Sequence, residues 1–261
     1  MLAHVHVMKT AGQTVREILR QSFLGRHCDL RAVGEVATAA DLRWALRVYP
    51  GLKSIAGHQV RLYGDLDAVG PPLSYFTFLR DPVTRCVSHF QFGRRNGSQA
   101  TLEEFLTCHA DHQTRHLAGT SDAQAAIELL EERRVFVGLM ERFNESLVLL
   151  ERWSGEALQL PYRSQNIAAS SELKRRLLAD ERALARIREC HQQDLELYQY
   201  VRDVIYPRQL QRFGSELAAE VAELEAALPA PTILSFGRLL AKAKRDLLYK
   251  PLTRSPHRRA A

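Results

Sequence analysis

The chain contains no hydrophobic run approaching the roughly 18 residues that a membrane-spanning helix requires. Its four cysteines, Cys28, Cys86, Cys108 and Cys190, form no C-x-x-C pair, which argues against a zinc ribbon and a disulfide framework. Internal repeats and low-complexity tracts are absent. No leader is expected either, because a strand-like run begins within four residues of Met1, and the expected location is cytoplasmic. The body also lacks a basic surplus. Lys and Arg number 36 against 30 Asp and Glu, but eight of the basic residues fall from Thr232 onward, opposed there by Asp246 alone. What precedes them is close to neutral, so no nucleic-acid partner is expected.

What is present is the composition of an ordinary globular protein, 46% hydrophobic and 25% charged over 261 residues. Strand-like runs alternate with helical periodicity. His4-Val5-His6-Val7 is followed by a loop at Lys9 to Gly12, then by a helix with Val15, Ile18 and Leu19 on one face. Further strands are expected at Lys53–Gly57, Ser74–Leu79 and Val135–Leu139. Helices are expected near 40–48, from Pro82, at 101–109, 123–134 and 141–153, and as long segments at 170–190 and 194–213. The alternation predicts an α/β fold with a central parallel sheet flanked by helices and a helix-rich C-terminal half. Residues 1–213 read as one domain, 214–231 as a helix and linker ending at Pro229-Ala230-Pro231, and 232–261 as a basic amphipathic tail. The tail suits an anionic membrane surface or a partner; alternatively it caps its own domain.

The strand-loop-helix at Lys9–Thr14 suits an anion, because helix N-termini present free N–H groups. It is not the pattern G-x-x-x-x-G-K-[ST], and the alternative is a plain turn with a surface lysine. A second such unit ends at Arg80-Asp81-Pro82, where Asp81 reads as a helix cap and Pro82 as the first helical residue. It carries Arg80, Arg85 and Ser88. Lys9, His58 and Arg80 each follow a predicted strand, at the end of the sheet where such folds bind ligands.

The two stretches His6-Val7-Met8-Lys9-Thr10-Ala11-Gly12-Gln13-Thr14 and Leu79-Arg80-Asp81-Pro82-Val83-Thr84-Arg85-Cys86-Val87-Ser88 resemble the cofactor motifs of the PAPS-dependent sulfotransferases, in their carbohydrate branch. The similarity extends through Gly57-His58, Gln113-Thr114-Arg115, Val137–Phe143 and Asp194–Tyr198. Met8 stands where that family usually has proline, and Gln13 where it has a hydroxyl residue. The resemblance implies a P-loop-like three-layer fold. It implies transfer of a sulfuryl group from 3′-phosphoadenosine 5′-phosphosulfate (PAPS) to a carbohydrate or glycoconjugate hydroxyl, with no metal. Lys9, Thr10, Ala11, Gly12, Gln13 and Thr14 would hold the 5′-phosphosulfate, and Arg80 and Ser88 the 3′-phosphate. His58 would be the base, with His6 its competitor, and Lys9 would also act in catalysis. Gln113 and Arg115 would line the acceptor groove, while Arg85 serves the fold through Asp81 or a neighbouring helix. His109, His112 and His116 have helical spacing, but nothing completes a metal site around them. An ATP-dependent phosphotransferase and a non-catalytic nucleotide-binding scaffold are the alternatives.

Overall fold

Short apolar strands separated by helical crossovers leave no hairpin return, so neighbouring strands run parallel. The computed structural model describes residues 1–32, 34–162, 172–212, 216–229 and 241–249. Five strands, β1 (Leu2–Val5), β2 (His27–Asp29), β3 (Ser54–Gly57), β4 (Ser74–Leu79) and β5 (Phe136–Leu139), form an all-parallel sheet in the order β2-β3-β1-β4-β5. The helices are α1 (Gly12–Ser22), α2 (Ala39–Val48), α3 (Pro82–Arg95), α4 (Leu102–His109), α5 (His112–Ala118), α6 (Ala123–Glu132) and α7 (Phe143–Ser154). After them come α8 (Glu172–Ala179), α9 (Glu181–Cys190), α10 (Gln192–Tyr200), α11 (Tyr206–Leu210) and α12 (Glu216–Ala226). The fold is therefore α/β, with helices and no strand after β5 among the described residues. Strands buried on both faces explain why β1, β3 and β5 read as runs rather than alternations.

Register puts the candidate residues on one edge. Val5 stands beside Gly57 on one side and Thr77 on the other, and Thr77 Oγ1 donates to Val5 O at 2.8 Å. The segments after β1, β3 and β4 therefore leave the sheet together. From β1 the chain first builds β2 and β3 on one side, then β4 and β5 on the other. Right-handed crossovers place the helices of the two halves on opposite faces, which opens a crevice at the carboxyl end of β1.

Several elements differ from expectation. β2 and α5 were not predicted. The helix expected over 170–190 is two helices, with Asp180 Oδ1 capping α9 by accepting from Arg182 N and Ala183 N; residues 170 and 171 lie outside the described residues. The helix expected over 194–213 widens by a turn at Val201–Ile205. Pro207 has no N–H to give to the preceding turn, which accounts for the wider coil.

The helix expected within 214–231 is α12. Leu217 and Leu224 of α12 enter the main core, and Arg152 of α7 pairs with Glu216 and Glu220. Residues 230 and 231 of the expected linker lie outside the described residues. Of the tail, Lys244–Tyr249 caps its own domain. Tyr249 is fully buried, accepts from Arg31 N at 3.0 Å, and lies edge-on to Tyr49 at 5.5 Å. Lys244 Nζ sits 4.6 Å from the same Tyr49 ring. The rest of the tail, 232–240 and 250–261, is outside the described residues. Among the described residues no helix is long and apolar enough to cross a membrane.

The sheet buries histidine. His4 is fully enclosed between Phe76 (4.8 Å) and His6 (5.4 Å), and neither of its ring nitrogens has a hydrogen-bond partner. Burial pushes its pKa down to about 3; it does the same to His89, to about 3, and to His112, to about 2. Each is neutral when folded and takes up a proton on unfolding once the pH falls below about 6.5. Stability is thus full above that pH and is lost as pH falls, by up to about 1.4 kcal/mol per pH unit per histidine. Urea unfolding between pH 7.5 and 5 should show a falling midpoint, and a His4→Phe variant should flatten the slope.

Candidate functional site

The loop after β1 is shaped from within. Thr10 is fully buried and its hydroxyl donates to Val7 O at 2.9 Å. Lys9 (φ 71°) and Ala11 (φ 57°) adopt the left-handed conformation, which non-glycine residues hold at a cost of roughly 1–3 kcal/mol each. Left-handed residues in such a turn aim backbone N–H groups into a concavity that favours anions. α1 begins at Gly12, so its own N-terminus adds to that concavity.

His6 lies beneath this loop. A Cβ added at Gly12 would stand 1.8 Å from His6 Nε2, so only glycine admits the ring. On its other side His6 stacks with His58, centroids 3.9 Å apart. His58 Nδ1–H donates to His6 O at 3.0 Å. That bond sets the tautomer and leaves Nε2 with its lone pair. Burial chiefly lowers the His58 pKa, the His6 carbonyl works against it, and Arg16 and Arg61 lower it further. His58 is a neutral imidazole near pH 7. His6 is held low by burial and by His4 and His58 and stays neutral near pH 7.

The second loop is fixed by its backbone. Arg80 N donates to Gln113 Oε1 (3.0 Å) and Gln113 Nε2 donates to Arg80 O (2.9 Å). Asp81 N donates to Glu141 Oε1 at 2.9 Å, and Glu141 Oε2 accepts from Tyr198 Oη at 2.9 Å. Asp81 caps α3 by accepting from Thr84 N, with Pro82 in the first turn, as expected. The Arg80 guanidinium reaches Thr84 Oγ1 (3.3 Å) and Lys9 O (3.5 Å), so it touches the first loop 71 residues away.

These parts share one cleft of about 490 Å³. Lys9, Ala11, Gly12, Gln13, Thr14, His58, Arg80 and Ser88 all line it. It also holds Phe92, Phe143, Tyr162 and Lys174, none of them foreseen. Phe92 lies one turn beyond Ser88 on α3, and that spacing was a usable signal; Lys9 Nζ is 4.4 Å from its ring. Tyr162 and Lys174 come from segments with no local mark. Among the described residues, three cations and no carboxylate line the cleft. Burial lowers the Lys9 pKa, and Arg80 and Arg95 add to that. A bound polyanion would relieve this repulsion.

Three of the expected site residues do not line this cleft. Thr10 spends its hydroxyl inside the loop and does not line the cleft. Gln113 is fully buried with its amide committed to the Arg80 backbone. Arg115 is exposed on α5, away from the cleft. Of the two partners expected for Arg85, Asp81 or a neighbouring helix, the structure shows the second: Arg85 is fully buried, 3.4 Å from His191 Nε2. His116 Nε2 accepts from Arg61 at 2.8 Å, and His109 packs on Phe105. Among the described residues no group of three or more His, Cys, Asp or Glu is placed to hold a metal.

No protein-family model matches the chain, and no curated protein matches it.

Gly12→Ala tests the loop. Alanine gains up to about 1 kcal/mol in a helix, whereas overpacking costs about 1–3 kcal/mol, so the clash with His6 decides the sign. The variant should melt several degrees lower and bind anions more weakly; unchanged melting would show that His6 does not sit against Gly12. Gln113→Leu should destabilise by about 1–3 kcal/mol through the unpaired Arg80 backbone, measured by urea unfolding.

Proposed function

We propose that this protein is a PAPS-dependent sulfotransferase with a P-loop-like fold, acting on a hydroxyl of a carbohydrate or glycoconjugate. One observation carries the reading: two phosphate-suited loops, distant in sequence, and an imidazole of fixed tautomer line a single cleft to which the described residues bring no carboxylate. The donor has an anionic group at each end of a nucleoside. The Lys9–Thr14 loop suits the phosphosulfate, and Arg80 with Ser88 suits the 3′-phosphate, since a guanidinium fork pairs with phosphate oxygens. Phe92, Phe143 and Tyr162 offer apolar faces to a purine.

The donor supplies an activated sulfuryl group, whose sulfur–oxygen bond to phosphate breaks as the bond to the acceptor oxygen forms. Negative charge then grows on the departing phosphate oxygen. Lys9 and the N–H groups at the start of α1 stabilise it from fixed positions. The acceptor hydroxyl loses its proton to His58 Nε2, the nitrogen left open by the bond from Nδ1 to His6 O.

Calorimetry with 3′-phosphoadenosine 5′-phosphate tests the cleft. Wild-type protein should bind it, and Lys9→Ala or Arg80→Ala should weaken binding by about tenfold or more. Unchanged affinity in both variants would refute the reading. His58→Ala should keep that affinity and lose at least about a hundredfold in kcat. Because His58 acts unprotonated, kcat/KM should be flat near neutrality and fall at acid pH with a one-proton limb below the usual histidine value. Turnover of ATP with Mg²⁺, without PAPS, would favour a phosphotransferase instead.

A further inference from the structure

His58 stands one residue beyond β3 and keeps an exposed side, so packing alone does not hold it. Its ring is held where Nδ1 donates to His6 O and the two imidazoles stack. Its backbone is held from the opposite direction. Arg61 Nη1 donates to His58 O and also to His116 Nε2, the latter at 2.8 Å. A single guanidinium nitrogen carries two hydrogens, so it serves both acceptors at once. His116 is a buried residue of α5, and to accept at Nε2 it carries its own proton on Nδ1. Burial, followed by the charge of Arg61, holds its pKa well below the usual histidine value, so it remains an acceptor through the neutral range.

The helix that carries His116 is itself fixed. Asp194, fully buried, accepts from Gln113 N at 3.1 Å and from Thr114 N at 2.7 Å. Gln113 clamps the Arg80 backbone, and His116 follows it by three residues, on the same side of the helix. At the other end of α5, Tyr63 closes over the cap: a Cβ added at Gly119 would stand 3.2 Å from its ring. The Tyr63 side chain also hydrogen-bonds to Arg61. In the sheet β1 separates β3 from β4, so the loops bearing His58 and Arg80 are not neighbours through their strands. α5 joins them from above, one turn of helix to each loop.

We propose that Arg61 is a positioning residue for His58 and that His116 holds it in place, so that α5 sets the base and the Arg80 loop in one frame. This deepens the sulfotransferase reading and rests on it, because there His58 Nε2 takes the proton of the acceptor. Such a transfer needs hydrogen-bond reach, and a displacement of about 1 Å can cost about a hundredfold in rate.

Long-range proton–nitrogen NMR of the histidine rings tests this on the full chain, above neutral pH and with no ligand; His58→Ala identifies the His58 signals. In the wild type His58 should be the Nδ1–H tautomer alone. Arg61→Ala and His116→Leu should each loosen the residue, so that signals of the Nε2–H form, which an unrestrained neutral imidazole favours, appear beside it. His116→Gln offers an amide oxygen in place of Nε2 and should keep the wild-type tautomer. Neither Arg61 nor His116 lines the cleft proposed for the donor, so all three variants should bind 3′-phosphoadenosine 5′-phosphate within about twofold of wild type in calorimetry. A pure Nδ1–H signal in both Arg61→Ala and His116→Leu overturns the proposal, and so does a loss in His116→Gln equal to that in His116→Leu. Should Arg61→Ala not fold, the two His116 variants decide. Failure of the wild type to bind 3′-phosphoadenosine 5′-phosphate overturns the sulfotransferase reading instead, and with it the base that Arg61 would position.

Discussion

The contact of His6 with Gly12 and His58 is the constraint on which the site depends. His6 is the first residue beyond the central strand, and it works from both its parts. Its ring fills the space that a Cβ at Gly12 would occupy, so the loop closes down on it. Its carbonyl accepts from His58 Nδ1 and so chooses which nitrogen of His58 is basic. The stack is tolerable only while the rings are neutral, because a charge on one would be buried beside the others. Burial keeps them so. One residue thereby couples the shape of the anion loop to the protonation of the candidate base.

The other half of the cleft is held from the C-terminal helices. Asp194 on α10 accepts from Gln113 N, Thr114 N and Thr114 Oγ1, which pins the start of α5. Gln113 in turn clamps the Arg80 backbone on both sides, while Tyr198 steadies Glu141 against Asp81 N. The helix-rich half is thus a frame that fixes a phosphate-suited arginine. Arg85, one turn along α3, anchors that helix inside the frame.

Much of this was legible in the chain because it rests on local pattern. β4 spans the six residues read from its aromatic, β-favouring run, and the Asp81-Pro82 start of α3 follows from capping chemistry. His58 was found from its place after a strand end. β2 was missed because three residues are too few to show a period, and α5 because Asp194, 80 residues away in sequence, supplies its capping contacts. Gln113 carries no mark that separates a buried backbone clamp from a ligand contact. Tyr162 and Lys174 reach the cleft only through tertiary packing, and the basic tail read as an appendage because its buried tyrosine cannot be told from an exposed one in sequence.

The central claim is that the two loops hold the two ends of one nucleotide. A crystal structure of the protein with 3′-phosphoadenosine 5′-phosphate tests it most directly. The account predicts the 5′-phosphate against Lys9 and the start of α1, the 3′-phosphate against Arg80 and Ser88, and His58 at the open end near the 5′-phosphate. A nucleotide bound elsewhere, or in the cleft with Arg80 and Ser88 touching no phosphate, would contradict it.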